Sequence, residues 1–184
     1  MASSNFPTTQ YDASHFIESV GAIPIKVSTR EICLIRHDKN GEEEWLLAKG
    51  RRNAGKSRHE AAVREIKEES GFTCHMMPLT MTTRAPPADE IGDCPDEPRV
   101  HREVMEPFML TCRELGEGKS VKVIWWYVAA IDEDAEVECG ETQFEARLVG
   151  FDKALDLLTF EGDREIVRKA FAIFDGTQTS SAAL

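Results

Sequence analysis

The sequence has no long apolar run. No segment approaches the roughly 18 to 20 residues a membrane span requires, which excludes helical channels and transporters. The opening residues, MASSNFPTTQYD, have neither the basic start nor the apolar centre of a secretory leader. Together with TQTSSAAL at the other end, they read as polar tails. No C-x-x-C pair occurs among Cys33, Cys74, Cys94, Cys112 and Cys139. The odd number and wide spacing argue against a zinc site or a disulfide framework, and for reduced thiols in the cytoplasm or also the nucleus. Positive charge is scarce. Against 33 acidic residues stand 22 Lys and Arg, and the formal net charge of −11 disfavours nucleic acid as a partner. No internal repeat is present. What remains is a chain of 184 residues, 41% hydrophobic and 30% charged, the profile of one domain with a sizeable core.

Apolar-rich stretches alternate with turn signals. GAIPIKV (21–27), EICLIRH (31–37) and EEWLLAKG (43–50) read as strands, with Asn40-Gly41 as a hairpin turn between the last two. Further strands are expected near 72–83 and within 104–114, 120–131 and 143–151. Residues 84–103, rich in proline and acids, read as a long surface excursion. A short helix at DKALDLL precedes a longer one at 163–174, where Ile166, Val167, Ala170, Phe171 and Phe174 share a face and Gly176 reads as a stop. Mostly consecutive strands with one central and one terminal helix predict an α+β or mixed-sheet layout.

Residues 50–72, GRRNAGKSRHEAAVREIKEESGF, carry the chemistry. Two patterns overlap there. Gly50 to Ser57 fits G-x-x-x-x-G-K-[ST], a phosphate-cradling loop. That loop belongs to a doubly wound parallel sheet, and the strands here follow one another without helical crossovers. Ser57 also opens an S-x-x-E capping box with Glu60, which gives it a sufficient structural role at a helix start. The helix then runs to Gly71, with Phe72 as the apolar contact beyond it. On this helix Glu65, Glu68 and Glu69 lie at i, i+3 and i+4, so three carboxylates share one face. Arg64 can pair with Glu68, but Glu65 and Glu69 have no basic residue four positions away. Oxygen-only ligands suit magnesium or manganese. Just ahead, Lys49, Arg51, Arg52, Lys56 and Arg58 form a basic cluster suited to a small polyanion.

Gly50, Arg64, Glu65, Ile66, Glu68, Glu69, Gly71 and Phe72 stand at the spacing of a Nudix box, and over residues 16–175 the chain resembles the Nudix hydrolase family. Residues 1–15 and 176–184 would be flexible tails. The resemblance implies an α/β/α sandwich around a mixed sheet, and hydrolysis of a diphosphate linkage. It implies that Glu65, Glu68 and Glu69 bind Mg2+ or Mn2+ and that Arg64 steadies them. It implies a further catalytic glutamate from a loop before the last strand, for which Glu141 is the candidate and Glu145 the second; Glu65 and Glu69 complete the catalytic set. The K-G-R run at Lys49, Gly50 and Arg51 resembles members acting on dinucleoside polyphosphates and diphosphoinositol polyphosphates. Lys49, Arg51, Arg52 and Lys122 are then expected to bind the substrate phosphates, and the partner is a small-molecule polyphosphate rather than a membrane or nucleic acid.

Lys56 departs from the box, which has Glu there. Its ammonium is expected near the carboxylate face, either weakening catalysis or contacting substrate phosphate. Two functions follow: a magnesium-dependent diphosphatase, or a catalytically impaired module that binds a polyphosphate ligand or partner.

Overall fold

The strands form where β-branched and apolar residues can cover both faces of a sheet. In the computed structural model, which describes residues 5–181, with side chains to 179, β1 (Phe16–Lys26) is buried along most of its length. It lies parallel to β9 (Ser120–Ile131) from Phe16–Val121 to Ile25–Ala130. Around this pair the sheet runs β10 (Phe144–Gly150), β2 (Glu31–Lys39), β1, β9, β5 (Cys74–Met76). Three further strands join by antiparallel pairing: β3 (Glu42–Leu46) on β2, β4 (Lys49–Arg51) on β1 and β8 (Met109–Leu115) on β9. One parallel pair among antiparallel neighbours makes the sheet mixed.

Pro24 sits inside this central strand without breaking it. On one side β1 pairs with β4 through Ser19–Gly21 and with β2 only from Ile25. The proline falls between those two registers, where that edge of the strand has no partner to lose.

Alternation along the strands builds two cores. Val20, Ala22, Tyr127, Ala129 and Ile131 face α1 (Arg58–Ser70), meeting Ala61, Ala62 and Ile66. Ile23, Ile25, Ile124, Trp126 and Val128 face the other way, onto α2 (Phe151–Leu157) and α3 (Glu161–Ser181) through Ala154, Val167, Ala170, Phe171 and Phe174. The result is the expected α/β/α sandwich.

Four details differ from the sequence reading. The stretch 43–50 is two strands, because the chain leaves β2 after Leu46 and joins β1 at Lys49. Residues 72–83 also divide: β5 joins the main sheet, whereas β6 (Leu79–Thr83) forms a separate ribbon. The polar excursion is shorter than read, since its last residues enter β7 (Arg99–Val104), the partner of β6. Gly176 does not stop the last helix, which continues to Ser181. There the Thr177 hydroxyl donates to the Ile173 carbonyl and accepts the Thr80 amide, each at 2.9 Å, tying the extra turn to β6. Residues 1–4 and 182–184 of the expected tails lie outside the described residues. Among the described residues no helix is long and apolar enough to cross a membrane.

Candidate active site

The capping box predicted at Ser57 is present. The Ser57 hydroxyl accepts the Glu60 amide at 3.1 Å, and the Glu60 carboxylate accepts the Ser57 amide at 2.8 Å. Ser57 is thereby committed to starting α1. Gly71 ends that helix in the left-handed region, with φ 75° and its amide on the Lys67 carbonyl. The phosphate-loop reading of Gly50–Ser57 is set aside, since the preceding strand is a three-residue antiparallel edge on β1.

α1 turns its acidic residues toward β4. The Glu65 side chain is only 11% exposed and receives Arg64, which also holds Glu68 at 2.6 Å and donates to the Arg51 carbonyl at 2.8 Å. Arg64 therefore bridges two of the three carboxylates and fixes them to β4. Its bond to Glu65 links sequence neighbours, which helix-face spacing alone does not anticipate. Gly50 lies directly over Glu65, where a Cβ would overlap the carboxylate. The Glu69 carboxylate accepts the Lys49 amide at 3.1 Å.

This environment disfavours charge. Burial, with Glu65 and Glu141 adding to it and Lys49 opposing, pushes the Glu69 carboxyl up to about 7. Burial likewise raises Glu65, against Arg64, with Glu68 and Glu141 adding to the rise. Glu141 thus shares the field of Glu65 and Glu69. Its loop is anchored there by its amide on the Glu68 carbonyl at 2.7 Å. Glu145, the second candidate, is held instead by Arg36 across the β2–β10 pair.

The carboxylates are not gathered around a ready cation position. Among the described residues no group of three or more His, Cys, Asp or Glu side chains is drawn together for a metal. Arg64 pairs with both Glu65 and Glu68. The donor set still suits a hard cation: all its ligands are oxygens, and Glu65 raises the neighbouring Glu69 by charge repulsion.

Of the four expected substrate residues, three come together. Burial lowers the Lys122 ammonium pKa, and Lys49, Arg113 and Arg51 lower it further, with Glu65 opposing. Lys49 and Arg51 alternate on β4 and share one face, as strand geometry requires. Arg113, opposite Lys122 in the β8–β9 register, joins them. It was missed because its strand offers no motif, although a basic pair across one hairpin was a usable signal. Buried Asp163, at the start of α3, is raised by burial and faces Lys49 and Arg113.

Arg52 goes elsewhere. Strand alternation sends it to the opposite face, where its Nε donates to Glu18 at 2.6 Å. Arg58 holds the other Glu18 oxygen at 2.7 Å and stacks over Trp125 at 4.1 Å. These two bonds hold Glu18 below the usual carboxylate range although burial opposes them.

Lys56 follows Arg52 rather than the carboxylates. Its ammonium pairs with Glu60 at 3.2 Å, and it lines a concavity of about 390 Å³ with Glu18, Arg52, Arg58 and His59. The expected closeness to the acidic face is not seen, since the capping box pulls Glu60, and Lys56 with it, to the helix start. Lys56→Glu is accordingly expected to leave turnover unchanged and stability within about 0.5 kcal/mol of the parent. A tenfold change in an initial-rate assay would place this position in the site.

A family model described as the NUDIX domain matches residues 15–170. No curated protein matches the chain. Among solved structures, a C. elegans Ap4A hydrolase in a binary complex aligns with TM-score 0.58 and 17% identity, covering 87% of this chain and 98% of that one. A NUDIX hydrolase from Nitrosomonas europaea aligns with TM-score 0.56 and 11% identity, covering 85% and 88%. A MutT protein from Methanosarcina mazei Go1 aligns with TM-score 0.53 and 19% identity, covering 84% and 92%. At these identities the structures attest the fold.

Proposed function

We propose, from the premise that this chain belongs to the NUDIX domain family, that it hydrolyses a diphosphate linkage in a substrate bearing several phosphates. The observation that carries this reading is the contact of two opposite fields. Buried Glu65 and half-buried Glu69, with Glu141 beside them, adjoin Lys49, Arg51 and Lys122. Opposed charge of this kind suits a reaction in which phosphate is held by one set while a proton is taken by the other.

Glu65, Glu68 and Glu69 would hold a divalent cation, Mg2+ or Mn2+, which when bound neutralises phosphate charge and makes the phosphorus more susceptible to attack. Lys49, Arg51 and Lys122 bind the phosphate oxygens. Arg64 keeps Glu65 and Glu68 in place. Glu141, an exposed carboxylate beside buried ones, accepts the proton of the attacking water. Arg52 lies on the other face and supports Glu18.

The substrate class that fits the basic cluster is a dinucleoside polyphosphate or a diphosphoinositol polyphosphate. The name of the C. elegans neighbour, an Ap4A hydrolase, agrees with the former. The test is a magnesium-dependent turnover panel of diadenosine tetraphosphate, a diphosphoinositol polyphosphate and a nucleotide sugar, with a chelator control. The phosphate-rich substrates are expected to exceed the nucleotide sugar in kcat/KM by about tenfold or more, as one lost charge-assisted contact implies. Absence of turnover on all three overturns the reading.

A further inference from the structure

One buried hydroxyl lies on the sheet face that carries the basic cluster. Ser19 is fully buried, and among the described residues its hydroxyl oxygen has no hydrogen-bond partner. The neighbours of Ser19 follow from register. On one side β1 pairs Ser19 with Arg51 and Gly21 with Lys49. On the other side it pairs Ile17 with Lys122 and Ser19 with Ile124. Laterally paired residues project from the same face of a sheet. Ser19 therefore shares its face with Lys49 and Arg51 on one flank and with Lys122 on the other. Arg113, paired with Lys122, extends that face by one strand.

Buried hydroxyls without partners are rare because desolvating them opposes folding. This one has Arg51 as its lateral partner, with Lys49 and Lys122 diagonal to it on the same face. The structure assigns Ser19 a binding role: its hydroxyl donates a hydrogen bond to a phosphate oxygen held by Lys49, Arg51, Lys122 and Arg113. The anion is a substrate phosphate outside the linkage being cleaved, which makes the cleft selective for chains of three or more phosphates. Because Ser19 is fully buried in the free protein, this binding step requires the side chains that cover it to part and admit the anion. Asp163 facing Lys49 and Arg113 limits the cleft on the α3 side, so the favourable positions lie along β1 and β9. This role rests on the hydrolase reading for its substrate but not for its test.

Three measurements on the parent and on Ser19→Ala decide it. The first is calorimetric binding of inorganic tripolyphosphate in the presence of chelator, where the variant is expected to bind about tenfold more weakly, the loss typical of a hydrogen bond to a charged group. The second is turnover of diadenosine tetraphosphate with magnesium, where KM is expected to rise by a similar factor and by more than kcat falls. The third is the unfolding temperature without ligand. Removing an unpartnered hydroxyl is expected to raise it by about 2–4 °C, while the upward shift given by tripolyphosphate shrinks. Unchanged tripolyphosphate affinity overturns the role. A lower unfolding temperature with unchanged KM also overturns it, by showing an internal structural partner. If the parent turns over no diphosphate substrate, the hydrolase reading fails separately, and tripolyphosphate binding still judges Ser19.

Discussion

Glu69→Gln is expected to reduce turnover roughly 10²–10⁴-fold, the range for loss of a group that handles a proton or a reacting charge, while leaving the fold intact. The amide oxygen of glutamine can still accept the Lys49 amide bond that Glu69 accepts now. Charge is what changes. Burial holds the Glu69 carboxyl at about 7, against an ordinary value of 4.5, so the folded protein favours its protonated form. A raised carboxyl pKa contributes stability below the unfolded value, and that contribution is lost as pH rises through the folded one. The variant should therefore match the parent near pH 4.5 and gain on it progressively up to about pH 7. Above that the gain is constant, on the order of 3 kcal/mol. Denaturant unfolding in the presence of chelator at pH 5 and pH 8 reads this difference. Magnesium should then stabilise the parent more than the variant, because only the parent has the full charge to hold it. Equal stabilisation of both would remove Glu69 from the cation site.

The second large effect is expected at Gly71. Its φ of 75° disfavours any side chain, and a Cβ there would overlap the Glu138 carbonyl oxygen. That contact is part of a seam between α1 and the loop before β10. The Gly71 carbonyl accepts the Glu138 amide at 3.0 Å, and the Glu68 carbonyl accepts the Glu141 amide at 2.7 Å. Lys67 adds an ion pair to Glu138 at 2.7 Å. Gly71→Ala must strain the backbone and push the loop outward, at a combined cost of roughly 2–4 kcal/mol. The unfolding temperature should drop by about 5–15 °C. Activity measured well below that temperature should also fall, since the displaced loop carries Glu141. Gly118→Ala supplies the comparison. Its φ of 82° is similar, but nothing lies within 4 Å of the added Cβ. It should show the backbone penalty alone, about 1 kcal/mol, and unchanged turnover. Equal effects of the two substitutions would mean that the seam contributes nothing.

The sequence revealed those parts of the site that depend on short-range geometry. Helix spacing placed Glu65, Glu68 and Glu69, and local capping chemistry placed Ser57, Glu60 and Gly71. Arg113 was hidden because its relevance comes from pairing with Lys122 across a hairpin. The seam was hidden for another reason: it is made largely of backbone groups at Gly71, Glu138 and Glu141, and backbone bonds leave no residue signature. Arg52 lies one residue beyond β4 and bonds Glu18, a partner far away in sequence that its basic neighbours did not reveal. Lys56 illustrates the limit of a motif. A residue in a box position was expected to act where the box acts, yet a local partner, Glu60, fixes it at the helix start.

The parallel pairing of β1 with β9 has a bearing on how the chain is made. The two central strands meet in register from Phe16–Val121 to Ile25–Ala130. During synthesis, at about 5–20 residues per second, β1 leaves the ribosome several seconds before its partner exists. Through that interval an apolar strand that belongs at the middle of the sheet has at most β2 and β4 beside it. Its other edge is open to any strand that can pair with it. Closing so distant a contact is also slow, because the loop entropy is spent before the pairing is gained. The central pair can therefore close only after β9 has emerged, and its exposed period falls before folding rather than after.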